Sequence, residues 1–110
     1  MSPQAFDALA EQAVAALPLR FRRRLKNIVI IVEQEPPKAD LLGLYEGGQP
    51  FGLPDRITIY QGPHQRLARN PSHLAQLVAE TVFHEVGHAF GLNEREVLQQ
   101  ERRLRRSRRP

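Results

Sequence analysis

The chain has 110 residues, of which 41% are hydrophobic and 25% charged, and it contains no cysteine. This length predicts one domain with a modest core, and the lack of cysteine excludes disulfide scaffolds, cysteine-ligated metal sites and thiol nucleophiles. The net charge of +4 comes from the C-terminus, because six arginines lie within residues 102–109 and the rest of the chain is nearly neutral. The body of the protein therefore lacks the cationic surface expected of a nucleic-acid-binding domain.

The N-terminal segment, residues 1–18, has no basic stretch and carries Asp7 and Glu11, so we do not expect a secretory signal. The longest apolar run, residues 28–32, is much shorter than the roughly 20 residues that cross a membrane. These features predict a cytoplasmic protein without a membrane partner.

The first half of the chain predicts one helix followed by strands. Apolar residues recur at helical spacing from Pro3 to Pro18, with Ser2 as the N-cap. Residues 27–33 form a β-branched run, which predicts a buried strand. Residues 41–45 predict either a short strand or a turn, and a surface loop rich in glycine and proline follows them.

The second half predicts a strand and two helices. Residues 56–60 alternate and predict a second strand. A helix is expected over residues 70–90, with an asparagine–proline start and with Gly91 as its C-terminal cap. Asn93 and Glu96 resemble a capping box for a last helix. This order of elements predicts a small α+β domain.

A metal-binding motif lies inside the long predicted helix: His84-Glu85-Val-Gly-His88, the pattern HExxH. Four residues advance a helix by about 6 Å and 400°, so both imidazoles leave the same face and can reach one Zn²⁺. Glu85 can lean beside the metal and act as general base on the water that the metal activates. The alternative is a surface helix with two histidines and a chance glutamate.

A catalytic zinc ion typically has three protein ligands, and the sequence continues as HExxHxxGxxE. Gly91 lets the chain leave the helix through a left-handed turn, after which Glu94 can return to the metal. A carboxylate beside His84 and His88 would complete a His₂Glu ligand set. Two alternatives stay open: Glu94 is a first-turn acid of the next helix, or Glu96 is the ligand instead.

The stretch HEVGHAFGLNE, with LLGLYEG and LPDRITIY before it, resembles the small bacterial zincin-like metallopeptidase family, over residues 28–96. The resemblance implies a minimal, matrix-metalloprotease-like domain in which a small sheet packs on the active-site helix, with flanking N- and C-terminal helices. It also implies zinc as the cofactor, with His84, His88 and Glu94 as ligands and Glu85 as the base. The family usually has Asp at the last ligand position.

Two further expectations follow from the resemblance. An edge strand of the sheet would bind an extended peptide or protein substrate by β-addition, with residues 58–60 as the candidate strand near the site. Larger metzincins place a methionine turn beneath the metal, whereas the only methionine here is Met1. Either the floor of the site is built differently, or the resemblance to metzincins is only local.

Other polar residues are weaker candidates for the site. Glu80 lies one turn before His84 and could orient an imidazole. Tyr45 and Tyr60 could donate a hydrogen bond to an oxyanion. His64 follows a glycine–proline pair and is expected in a loop. For each of them a purely structural role is the more common one.

These observations predict a zinc-dependent metallopeptidase. The alternative is a catalytically weak or inactive zinc-binding domain that acts by binding a partner. A third hypothesis rests on the basic tail, residues 102–110, which we expect to be disordered after a single domain over residues 1–101. This tail could make weak contacts with acidic partners or nucleic acid, although no aromatic residue interleaves its arginines.

Overall fold

The computed structural model describes the backbone of residues 1–107, and the side chains of these residues except Glu94 and residues 104–107. Within that range the chain forms five α-helices and one three-stranded sheet, which confirms the predicted α+β class. The elements in chain order are α1 (Pro3–Ala15), α2 (Leu19–Arg22), β1 (Ile28–Glu33), β2 (Gly43–Glu46), β3 (Asp55–Tyr60), α3 (Gln61–Leu67), α4 (Pro71–Ala89) and α5 (Glu94–Ser107). No helix in this part of the chain is both long and apolar enough to cross a membrane.

Side-chain caps fix the starts of the two core helices. The Ser2 hydroxyl accepts a hydrogen bond of 3.1 Å from the Ala5 amide, and the Asn70 side chain accepts one of 2.8 Å from the His73 amide. In both helices a proline follows the cap, where a missing N–H group costs no helical hydrogen bond. Both predicted helix starts are confirmed.

The last helix also begins where it was predicted. The Asn93 side chain accepts from the Glu96 amide at 2.9 Å, and the Glu96 carboxylate accepts from the Asn93 amide at 3.2 Å, which is a reciprocal capping box. The backbone then stays helical to Ser107. The helix thus extends into the basic tail, which fits the good intrinsic helix propensity of arginine; residues 108–110 lie outside the described range.

The sheet has the order β1–β3–β2, with β1 parallel and β2 antiparallel to β3. Strand β3 is buried continuously over residues 57–60 and therefore takes the central place. The expectation that residues 58–60 would provide the strand that binds a peptide is wrong, because both edges of a central strand are already paired. Strand β2 is the edge strand that packs against α4.

The core lies between the sheet and the helices α1 and α4. Helix α4 is central to it, because it packs against α1, α5 and the strands β2 and β3. One face of α4 supplies aliphatic side chains to the core, while the neighbouring face carries the HExxH motif. The buried core residues are Phe6, Ala10, Leu17, Ile57, Ile59, Leu74, Val78, Val82, Phe83 and Val86.

Candidate metal centre

Helix α4 brings the two histidines of the motif together on one side. The ring centroids of His84 and His88 are 4.8 Å apart, with an angle of 74° between the rings. Their Nε2 atoms are 3.2 Å apart. Two nitrogen atoms bound to one zinc ion at about 2.0–2.1 Å in tetrahedral geometry are about 3.3 Å apart. The spacing of the two atoms therefore fits a shared zinc ion.

The turn after α4 determines the orientation of the His88 ring. Gly91 has φ +81°, and the amides of Gly91 and Leu92 close the helix by donating to His88 O at 2.9 Å and Gly87 O at 3.0 Å. This turn places the Leu92 carbonyl 3.2 Å from His88 Nδ1. A carbonyl can only accept, so Nδ1 carries the proton and Nε2 of the neutral ring presents its lone pair.

A carboxylate on another helix orients the His84 ring. Glu101 Oε1, on α5, lies 3.4 Å from His84 Nδ1, which is a long hydrogen bond. The side chains of this pair are only 27% and 14% exposed. The carboxylate can only accept, so the contact requires a proton at His84 Nδ1, and His84 Nε2 faces His88.

Each Nδ1 atom faces an acceptor, which favours for both rings the tautomer with the proton at Nδ1 and a lone pair at Nε2. In that tautomer the two lone pairs would repel each other across 3.2 Å unless a cation lay between them. The arrangement therefore suits a metal ion, for which neutral imidazole nitrogen is a common ligand.

Glu85 is buried at the contact between α4 and β2. A methyl group added at Gly43 would come within 2.8 Å of Thr81 Cγ2 and 3.0 Å of Glu85 Cγ. Only glycine lets the strand approach the helix this closely, so the backbone of β2 forms one wall against the Glu85 side chain.

A cleft of about 350 Å³ runs along this contact. It is formed by the residues that lead into β2, by one face of α4 and by Glu101 of α5. The start of the edge strand thus lies beside the HExxH motif. The lining residues are Asp40, Leu41, Leu42, Gly43, Leu77, Glu80, Thr81, His84, Glu85 and Glu101.

The third predicted ligand cannot be placed by its side chain. Helix α5 begins at Glu94, but the side chain of this residue lies outside the described part of the structure. The alternative ligand, Glu96, accepts the hydrogen bond of the capping box. Among the described residues, no group of three His, Asp or Glu side chains is arranged to hold a metal ion. The ligand role of Glu94 therefore stays a prediction.

The weaker candidates for site residues are Tyr45, Tyr60 and Glu80, and the structure gives the surroundings of each. The Tyr45 hydroxyl donates to Asp55 Oδ2 at 2.7 Å, and this hydrogen bond raises the pKa of Tyr45. Tyr60 is buried, and burial raises the pKa of its hydroxyl. Glu80 lines the cleft, and its Oε1 accepts a hydrogen bond of 3.2 Å from Gln76 Nε2.

The sequence did not single out Glu101, and it placed His64 in the wrong kind of element. Glu101 lies one helical turn after the buried Val97, and that spacing is the only signal for it in the sequence. His64 was expected in a loop, but it lies in α3 and is fully buried. The glycine–proline pair before it starts a helix here, a position at which proline is well tolerated.

A long HExxH helix packed on a small mixed sheet is the arrangement of a zincin-type metal site. The family model described as zincin-like metallopeptidase matches residues 25–104, which is well over half of the chain. The chain therefore belongs to the zincin-like metallopeptidase family. No curated protein gave a match to it.

Proposed function

We propose that this protein is a zinc-dependent metallopeptidase, with His84 and His88 as two of its zinc ligands. One observation carries the proposal. The two Nε2 atoms lie 3.2 Å apart while both Nδ1 atoms are engaged by acceptors, so the pair presents two lone pairs at the spacing that zinc requires. Membership of the zincin-like family supports the same conclusion.

Glu94 is the proposed third ligand. It follows His88 by six residues, after the left-handed turn at Gly91 that brings the chain back along α4. Glu96 is the weaker candidate because its carboxylate caps α5. Zinc, when bound, supplies Lewis acidity: it polarises the scissile carbonyl group and lowers the pKa of water towards neutrality.

Glu85 is the proposed general base. It directly follows His84 in the helix, lines the cleft and is held against the backbone of Gly43. In this position its carboxylate accepts a proton from the attacking water and then passes that proton to the leaving amine. The backbone of β2 limits the movement of the side chain, so the carboxylate stays close to the cleft.

The substrate class is an extended peptide or protein segment. Residues 41–43 line the cleft and lead into the edge strand β2, whose outer edge is unpaired within the described residues. An extended chain could add to this edge through main-chain hydrogen bonds. Its scissile bond would then lie beside His84 and Glu85.

The test compares wild type with Glu85→Gln on a diverse peptide library, with cleavage followed by mass spectrometry. The amide keeps the size of the side chain but cannot act as a base. We expect Glu85→Gln to bind zinc as wild type does and to lose about 10²–10⁴-fold in hydrolysis. Glu11→Gln removes an exposed carboxylate from α1 and is the control. Equal cleavage by Glu85→Gln and wild type would show that the mechanism is wrong.

The second candidate function is a zinc-binding domain that binds a partner without hydrolysis. The small cleft, of about 350 Å³, favours it, because it leaves little room for side chains of a substrate. The same library distinguishes the two: a zinc-loaded wild type that cleaves no peptide supports the partner-binding domain.

A further inference from the structure

We propose that Glu101 is a positioning residue for the metal ligand His84, an inference that rests on the proposed zinc site. Its carboxylate accepts the Nδ1 proton of His84, holds the ring in the tautomer that exposes Nε2, and increases the basicity of that nitrogen. Because Glu101 belongs to α5, the C-terminal helix becomes part of the metal centre.

The surroundings of the pair favour this role. The two side chains are 27% and 14% exposed, so the interaction is screened less than one at the surface. The present separation of 3.4 Å is long for a hydrogen bond. A cation at Nε2 makes Nδ1–H a stronger donor, so metal binding is expected to shorten this contact.

Packing between α4 and α5 sets the position of Glu101. Val97 is fully buried, and it lies so close to Gly87 that a methyl group there would be 2.7 Å from Val97 Cγ2. Glu101 follows Val97 by four residues and therefore projects from the same face of α5, one turn further on. Because Gly87 has no side chain, Val97 can pack closely against α4, and this packing places Glu101 beside His84.

This arrangement couples zinc binding to the docking of α5. Zinc held by His84 would strengthen the hydrogen bond from Nδ1 to Glu101, and docked α5 would keep that acceptor in place. Such coupling is reciprocal, because the same free energy appears in both equilibria. Zinc is therefore expected to increase the protection of α5 amides against hydrogen exchange.

The test measures zinc dissociation constants by competition with a chelating dye. Glu101→Ala is expected to weaken zinc binding about 10–100-fold. Glu101→Gln should weaken zinc binding less than Glu101→Ala does, because its amide oxygen can still accept a hydrogen bond from His84 Nδ1. Glu11→Gln, which removes an exposed carboxylate elsewhere, should bind zinc as wild type does.

A second measurement, the ¹⁵N NMR spectrum of the His84 ring without metal, does not depend on zinc. We expect the Nδ1–H tautomer in wild type and a mixture of tautomers in Glu101→Ala. If wild type binds zinc and Glu101→Ala binds it equally well, this inference is wrong and the proposed function stands. If wild type binds no zinc, the proposed function is wrong. In that case the NMR spectrum still tests the inference: if Glu101→Ala shows the same His84 tautomer as wild type, Glu101 does not position the His84 ring.

Discussion

The two imidazoles of the candidate metal centre obtain their acceptors in different ways. His88 bonds to the Leu92 carbonyl, which the turn at Gly91 places only four residues away. His84 bonds to Glu101 on another helix. The first orientation is therefore a local property of the helix end, whereas the second exists only when α5 is docked on α4.

A third histidine, His64, lies in the core next to this region. Its Nδ1 is 2.6 Å from the Tyr60 carbonyl, and its Nε2 is 2.8 Å from the Thr81 hydroxyl. In the neutral ring Nδ1–H donates to the carbonyl, and Nε2 accepts from the hydroxyl. Protonation of His64 at Nε2 would place a charge in the core. The Thr81 hydroxyl could then no longer donate to Nε2 and would donate to the Leu77 carbonyl, 2.9 Å away. Burial accordingly lowers the pKa of His64.

This pKa shift predicts a loss of stability in mild acid. In the unfolded chain His64 protonates near pH 6.5, and in the folded protein at lower pH, so the unfolded state binds more protons between the two values. The free energy of unfolding should fall as the pH drops below about 6.5, by at most about 1.4 kcal/mol per pH unit for this group.

Urea denaturation at pH 7.5, 6 and 5 tests this prediction. Wild type should lose more stability over this range than His64→Gln, which cannot protonate. The other histidines are common to both proteins and cancel in the comparison. The same pH dependence in both proteins would contradict the assignment of His64 as a buried neutral base.

Two of the close contacts between elements in this fold occur at glycine residues. Gly43 brings β2 to α4 beside Glu85, and Gly87 brings α5 to α4 through Val97. In each case a side chain of the opposite element fills the space that a methyl group would need. These contacts explain how a small domain holds an edge strand and a C-terminal helix on either side of one motif.

Gly87→Ala tests the contact between the helices. The added methyl group would lie 2.7 Å from Val97 Cγ2, and such overpacking costs about 1–3 kcal/mol. The better helix propensity of alanine offsets at most about 1 kcal/mol of this. We expect a net loss of stability in urea denaturation, together with weaker zinc binding.

The double variant with Val97→Ala separates overpacking from other effects of Gly87→Ala. Val97→Ala alone leaves a cavity and destabilises the protein. In the Gly87→Ala background it relieves the clash and should cost much less, so the two effects should be non-additive. Additive losses, or a Gly87→Ala variant as stable as wild type, would show that the helices are not held at this distance.

Local signals predicted most of the elements. Ser2 and Asn70 mark their helix starts and Gly91 marks a helix end, because caps depend on a few neighbouring residues. Residues 41–45 were ambiguous between strand and turn, since so short a segment becomes a strand only through pairing with β3. The order of the strands also depends on tertiary packing, which is why the central strand was mistaken for the one that binds a peptide.

The candidate site, like the helices and strands, was predictable only where a local sequence pattern marks it. The HExxH spacing predicted that the imidazoles of His84 and His88 share one face of a helix, and the structure confirms this geometry. The spacing from Val97 indicates only which face of α5 carries Glu101 and does not identify His84 as its partner, and the wall formed by Gly43 has no local signal, because each contact joins elements that are distant in sequence. Proximity of this kind depends on the packing of the whole domain.

Across the whole molecule, α5 connects the candidate metal centre to the basic segment. It begins at Glu94, carries Glu101 and continues to Ser107, so the predicted boundary between residues 101 and 102 falls inside one helix. Contact of the arginines with acidic partners or nucleic acid stays a prediction. Any partner that moves this helix would also change the surroundings of His84.

The proposed function requires that the folded domain hold one zinc ion between His84 and His88. The most direct test is the metal content of untagged protein purified without chelator, measured by elemental mass spectrometry. The control is the double variant His84→Ala and His88→Ala. We predict about one zinc ion per chain in wild type and none in the variant. A folded wild type that stays metal-free after zinc is added would show that these histidines do not form a zinc site.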